Sequence, residues 1–370
     1  MNSKYYKSIV VLRKIAMMQR RFVLPFKLVR SRFYKQPSYF PEMNRKSKIS
    51  IFMELLFHIF RYGAIEWHYF SYGFDIKSFR KQNEYMDDAD FMWQNNMLNM
   101  IQTDWDYTCL LRDKSLFAQI LTLWGYQTPH VLAQINNKED ADIFMNSIRG
   151  GGYFCKTLNG ECGKGAFKIE CDEKHWRVDD KEYPISEAKE IIKKRLLEDK
   201  YIIQNIVEQL PEINSIYPHA LNTLRITTYY DKTKQSAMPF AGFYRIGANG
   251  GVADNWAAGG ILIGLDIKTG KLKKYGYFKH GYGTKVIAHP DSGFVFENYQ
   301  LPYYEQAMKQ ALELHEKLKG IPVIGWDIAL TSNGPMFIEG NDNVEMGPLQ
   351  LSEDRGLKKE YLEIKHKCLG

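Results

Sequence analysis

The sequence predicts an α+β protein with a helical N-terminal region, and three observations carry that prediction. From about Leu110 onward, segments of helical and strand periodicity alternate and end in a hairpin of two largely apolar strands. Before that point, apolar and aromatic residues recur at helical spacing. The 370 residues with 45% hydrophobic content suffice for two or three compact units with a substantial core. Internal repeats and low-complexity tracts are absent.

Charge divides the chain. Residues 1–48 hold 13 Lys/Arg against Glu42 alone, a charge of +12, whereas the remainder carries 37 basic and 42 acidic residues and sums to −5. Between the N-terminal charges lie Ile9, Val10, Ile15, Met18, Phe22, Phe26 and Val29, a mixture that suits an interfacial helix on anionic lipid. A solvated or internally packed helix fits the same pattern. Nucleic acid would also accept the charge but finds no recognition motif, so it ranks last. No segment reaches the roughly 18 uninterrupted apolar residues needed to cross a bilayer. The early Lys and Arg break any secretory apolar stretch, so export through a cleaved signal is not expected. Pro37 and Pro41 predict a break before a second helix, Ile49 to Tyr62, and aromatic-rich helical segments continue to about Met100. The expected divisions are a basic amphipathic segment at 1–48, a helical domain at 49–109 and a larger domain at 110–370.

Within the larger domain, a helix is expected from Lys114 to Trp124, where Leu116, Ile120, Leu121 and Leu123 keep helical spacing. A strand near His130–Gln134, a helix near Lys138–Ile148 and a short strand, Gly151 to Lys156, follow. Next, Asn159-Gly160-Glu161-Cys162-Gly163-Lys164-Gly165 places three glycines where backbone N–H groups could approach an anion. It is not a Walker loop, and a plain hairpin turn would look the same. A helix at Ser186–Glu198 precedes Tyr201-Ile202-Ile203-Gln204-Asn205-Ile206-Val207. Strands are expected at Thr223–Tyr230, Ala237–Ile246 and Ile261–Asp266, then a helix at Tyr303–Leu318. In the last hairpin, the Ser332-Asn333-Gly334 turn brings Asp327 alongside Glu339, and Asn341 shares the face of Glu339 because residues i and i+2 of a strand point the same way. Two carboxylates and an amide oxygen suit Mg²⁺ bridging nucleotide phosphates, although a polar-rimmed hairpin needs no metal.

The order of these segments resembles the ATP-grasp superfamily, in particular its ribosomal-protein glutamate ligase-like branch and the sugar-transfer-associated ATP-grasp proteins. The resemblance runs from about Leu110 to Leu349. It implies two α+β lobes sandwiching ATP, a glycine-loop lobe at 110–205 and a metal-bearing lobe at 206–360. It also implies that Lys114, in Asp113-Lys114, and Lys156 contact ATP phosphates under a loop containing Gly160, Gly163 and Gly165. Gln204 and Ile206 fall on the hinge that reads adenine, with Ile206 in place of the usual aromatic. Asn222-Thr223-Leu224-Arg225 is similar to the arginine strand of the sugar-transfer branch, and Phe243-Tyr244-Arg245 supplies a second arginine. Asp254-Asn255-Trp256-Ala257-Ala258-Gly259-Gly260 matches the family's Asn-x-x-x-Gly-Gly loop. Arg225, Arg245 and Asn255 become the candidate catalytic residues, and Asp254, Gly259 and Gly260 the candidate substrate contacts. Asp327, Glu339 and Asn341 fall on the metal positions.

The implied activity is an ATP- and Mg²⁺-dependent carboxylate ligase, with Mn²⁺ as a substitute ion. It would make an acyl phosphate captured by an amine or other nucleophile, in cell-surface or capsular polysaccharide assembly or modification. The expected partners are a small-molecule or saccharide carboxylate and a nucleophilic acceptor, with an anionic membrane surface meeting residues 1–34. A kinase acting on a hydroxyl or histidine would share these parts, and a nucleotide-binding scaffold at the membrane is the third reading. His280, His289 and His315 offer no obvious general base. Five cysteines, Cys109, Cys155, Cys162, Cys171 and Cys368, show no paired metal spacing, and their odd number argues against a complete disulfide framework. A cytoplasmic location is expected, peripheral on the inner face of the membrane if the basic helix binds lipid.

Overall fold

A computed structural model of the chain describes residues 3–102, 105–158, 165–179 and 181–370. The N-terminal region supplies four helices: α1 (Ser3–Ser31), α2 (Lys48–Tyr62), α3 (Asp88–Gln102) and α4 (Trp105–Arg112). The Ser47 side chain caps α2 by accepting the Ser50 N–H. Gly63 ends α2 at φ 65°, and a Cβ there would sit 3.3 Å from Met17 Cγ, so glycine serves both the left-handed cap and the close passage of α1. Residues 63–87 form turns and one short 3-10 helix, Gln82–Glu84, where aromatic-rich helical segments were expected, and their aromatic side chains interlock: Tyr72 packs on Phe74 and Tyr85 with centroids 5.3 and 4.6 Å apart.

Ahead of the first lobe, α5 (Lys114–Leu123) is capped by the Asp113 carboxylate, which accepts the Ser115 and Leu116 N–H groups, and its Phe117 and Leu121 pack in the core of the second lobe rather than the first, where 110–205 was expected to form one lobe. Then come β1 (Val131–Ile135), α6 (Lys138–Ser147), β2 (Gly151–Thr157), β3 (Phe167–Cys171), β4 (Trp176–Val178), β5 (Lys181–Tyr183), α7 (Ile185–Leu196) and β6 (Tyr201–Asn205). The six strands make one antiparallel sheet in the order β1-β6-β2-β3-β4-β5. Phe144 on α6 and Ala188 and Ile192 on α7 pack against Phe167, Ile169 and Ile203 of the sheet. The alternating burial of β3 is the mark of a sheet with one covered face.

The second lobe comprises α8 (Pro211–Ile216), β7 (Thr223–Asp231), β8 (Ser236–Ile246), β9 (Ile261–Leu265), β10 (Leu272–Phe278), β11 (Lys285–Val286), α9 (Tyr304–Lys317), β12 (Val323–Thr331), β13 (Gly334–Asn341), α10 (Met346–Glu353) and α11 (Lys358–Leu369). Its antiparallel sheet runs β11-β10-β9-β8-β7-β12-β13. One face packs on α9 through Ile226, Tyr244, Ala307 and Leu314. The other shares a single core with the N-terminal region, in which Leu28, Ile51, Tyr69 and Phe91 join Phe243, Leu262, Met346 and Tyr361. With both faces covered, every residue of β12 is buried. Asp327 is the one charged residue in that strand, and a carboxylate so placed needs partners.

Candidate active site

The two lobes and the N-terminal region enclose a cavity of about 1790 Å³. Lys156 borders it from the first lobe, Lys114 from the start of α5, Gln204 and Ile206 from the connection between lobes, and Arg225, Arg245, Asp254, Asn255, Asp327, Glu339 and Asn341 from the second. Residues up to 227 positions apart thus meet because β2, β7, β8, β12 and β13 present their ends to one space.

Register explains the centre. Asp327 on β12 stands opposite Arg225 on β7 and Glu339 on β13. The Arg225 guanidinium donates to both Asp327 oxygens, from Nε to Oδ1 and from a terminal nitrogen to Oδ2 at 2.8 Å. Arg245 reaches Asp327 Oδ2 at 3.1 Å and Asp254 Oδ2 at 3.3 Å. Thr223 links the group by donating to Asp254 and accepting from Arg245 at 2.7 Å. Burial alone would raise the Asp327 pKa, but Arg225 and Arg245 outweigh it and hold the carboxyl far below its ordinary range. Glu339 moves the opposite way, pushed up by burial and by Asp327 beside it. Two carboxylates this close in a dry site favour a shared cation. Asn341 donates to Glu339 Oε1 at 3.3 Å, leaving its amide oxygen as a further hard donor. The donor set therefore fits Mg²⁺ or Mn²⁺ held by Asp327, Glu339 and Asn341.

On the facing lobe, Lys156 ends β2 almost fully buried, and burial pushes its pKa down to about 8 although Glu339 pulls it the other way. Lys114, at the start of α5, donates to the Leu158 carbonyl at 3.4 Å and lowers the Lys156 pKa further by its charge. Two ammonium groups repelling each other at one wall suit a polyanion. Gln204 is fixed by donating to the Pro129 carbonyl at 3.2 Å. Ile206 lies over Gly152, where an added Cβ would meet its Cδ1 at 2.4 Å, so glycine on β2 makes room for the hinge residue.

Several expected contacts fall elsewhere. Gly259 and Gly260 do not line the cavity; they shape the loop behind it. Gly259 caps the Trp256–Ala258 turn at φ 102°, and a Cβ on Gly260 would lie 2.2 Å from the Asp254 carbonyl oxygen. Gly165 also stands outside the lining, at φ 74° with its carbonyl accepting from the Tyr201 hydroxyl. Gly160, Gly163 and Cys162 lie outside the described residues. His289 and His315 are packing groups that satisfy the Gly247 and Ile321 carbonyls at 2.8 Å; of the three histidines considered, His280 alone borders the cavity.

Other site residues carry no motif. Gln209 ties the connection between lobes to the arginine strand, donating to the Tyr217 and Ala220 carbonyls and accepting from Asn222. From the N-terminal region, Trp67, His68 and Asp88 wall the cavity. His68 stacks on Trp256 at 5.3 Å with rings 7° from parallel, and pairs with Asp88 at 2.9 Å. That wall had no chemical signature in sequence, because Trp67 and His68 come from turns and Asp88 from the start of α3, with no fixed spacing between them.

No curated protein matches the chain. Among solved structures, it is similar to D-alanine–D-alanine ligase from Helicobacter pylori at 11% identity, over 78% of this chain and 68% of that one, with TM-score 0.44. D-alanyl-alanine synthetase A from Vibrio cholerae gives 11% identity, 71% and 67% coverage and TM-score 0.43. N5-carboxyaminoimidazole ribonucleotide synthetase gives 11% identity and TM-score 0.39, over 64% of this chain and 45% of its own length. The model of the sugar-transfer associated ATP-grasp family matches residues 100–366, extending past both ends of the region the motifs marked. The α+β architecture agrees with that match, which spans well over half the sequence: the chain belongs to the sugar-transfer associated ATP-grasp family.

Proposed function

We propose that this protein is an ATP-dependent carboxylate ligase whose product enters cell-surface polysaccharide assembly or modification. The observation that carries the reading is the convergence of Lys114, Lys156, Arg225 and Arg245 around the Asp327–Glu339 pair in one cavity. Lys114 and Lys156 would hold the ATP phosphates, and the backbone near Gln204 and Ile206 would receive adenine. Mg²⁺ held by Asp327, Glu339 and Asn341 would neutralise charge on the β- and γ-phosphoryl oxygens. A substrate carboxylate oxygen attacks the γ-phosphorus, the bond to the ADP oxygen breaks, and an acyl phosphate forms. An amine or other nucleophile then attacks the acyl carbon and releases phosphate. Arg245 would serve the acceptor side, its guanidinium orienting the carboxylate or the transferring phosphoryl group. Arg225 is committed to Asp327 and acts as its positioning partner.

Asp327 and Glu339 predict different mutant behaviour. Asp327→Asn leaves two buried guanidinium groups short of a counter-charge, which costs about 3–5 kcal/mol of stability besides activity. Glu339→Gln keeps the size of the side chain and relieves its repulsion with Asp327, so thermal unfolding stays near wild type, while the loss of an anionic metal donor lowers Mg-ATP turnover about a hundredfold or more. Retained turnover in folded Glu339→Gln would remove the metal role.

We further propose that α1 and α2 rest on an anionic membrane, on the cytoplasmic face. Phe22, Phe26 and Leu12 on α1 and Ile49 and Phe57 on α2 are between 65 and 78% exposed, beside Lys14, Arg20, Lys27 and Arg30. Among the described residues, no helix is long and apolar enough to cross a membrane.

A further inference from the structure

Outside the cleft, His58, Glu66 and Asp87 bring three ligand atoms within 4.8 Å of one another. All three residues are more than nine-tenths buried. His58 lies on the covered side of α2, Glu66 in the turns that follow, and Asp87 immediately before α3.

Their orientation is set from outside the cluster. His58 Nδ1 lies 3.1 Å from the Ala64 carbonyl oxygen, which only accepts, so Nδ1 carries the proton in the neutral ring. The Nε2 lone pair then faces Asp87 Oδ2 at 3.2 Å and Glu66 Oε2 at 3.7 Å. The second oxygen of each carboxylate is engaged elsewhere: Glu66 Oε1 accepts the His68 N–H and Asp87 Oδ1 the Asp90 N–H, each at 3.0 Å. One electron pair per residue therefore points to a common centre, and three such atoms repel unless a proton or a metal ion lies among them; burial raises the pKa of both carboxyls, so a metal would bind in competition with a proton. In a tetrahedral zinc site with bonds of about 2.1 Å, ligand atoms stand about 3.4 Å apart, close to both separations from His58. With both carboxyls ionised the cluster would carry −2, which a divalent ion cancels, and a histidine whose other nitrogen donates to a backbone carbonyl is the usual outer arrangement of a metal ligand. The imidazole favours zinc over magnesium.

We propose that His58, Glu66 and Asp87 form a zinc site that binds α2, the turns after it and the start of α3 to one another. The site would position the N-terminal wall of the cleft, since His68 follows Glu66 by two residues and its partner Asp88 follows Asp87 directly.

The test uses full-length protein stripped of metal, without nucleotide, titrated with Zn²⁺ and separately with Co²⁺ as a spectroscopic probe. One equivalent of zinc, with visible cobalt absorption of a low-coordinate site, is expected in wild type and in Glu339→Gln. Glu66→Gln and Asp87→Asn should each weaken zinc binding by about tenfold or more. Folded wild type that binds no zinc, or zinc binding equal to wild type in both folded variants, would overturn the proposal. Loss in Glu339→Gln alone would assign the ion to the nucleotide cleft and overturn it equally.

Discussion

Lys156 makes the sharpest prediction at the scale of single residues. Its folded pKa lies near 8, well below the ordinary lysine value, because burial disfavours the ammonium. Between that value and the ordinary one the unfolded chain binds more protons than the folded chain, so this group's contribution to stability rises with pH across that window. Nucleotide binding has the opposite sign, since the phosphates need the charged form. ATP affinity should fall by up to about tenfold per pH unit above pH 8, while Lys156→Arg should hold it flat because a guanidinium stays charged. Calorimetric titration of ATP at several pH values checks both; a flat wild-type profile would show that Lys156 does not contact phosphate. This lysine, Asp327 and Glu339 stood out in the sequence because they interrupt largely apolar strands, where charge is out of place. Thr223 and Gln209 were not, since a threonine or glutamine acquires its role only from the partners that folding brings.

Among the elements, α1 separates two kinds of apolar residue. Leu28 enters the core, whereas Phe22 and Phe26 point outward at 74 and 78% exposure. Periodicity found the helix and its charge, but the sequence left packing and membrane contact open because either needs an apolar stripe. Phe22→Ser/Phe26→Ser should leave folding intact and abolish sedimentation with phosphatidylserine vesicles, and high salt should weaken the wild-type interaction by screening the basic residues. Equal binding by the double variant would dismiss the proposed surface. Long periodic elements such as α9 and β7 were read from sequence to within a residue of where they lie. The strands β4 and β5, three residues each, were not, because so short a segment holds less than two full alternations of the strand pattern.

For the whole molecule, the N-terminal region is continuous with the second lobe's core and walls the cleft through His68 and Asp88. Its helical character was legible, while its place was not: aromatic residues such as Tyr69 and Phe91 declare burial without declaring against what. On the proposed function, this assembled cleft activates a carboxylate. The most direct measurement is ADP formation from Mg-ATP with a panel of uronic and amino acids, in the presence and absence of hydroxylamine, which intercepts acyl phosphates. Carboxylate-dependent ADP release with a matching quantity of hydroxamate, both lost in Glu339→Gln, is the predicted result. ADP release with no hydroxamate, and a stable phosphorylated acceptor instead, would contradict it and make the protein a kinase.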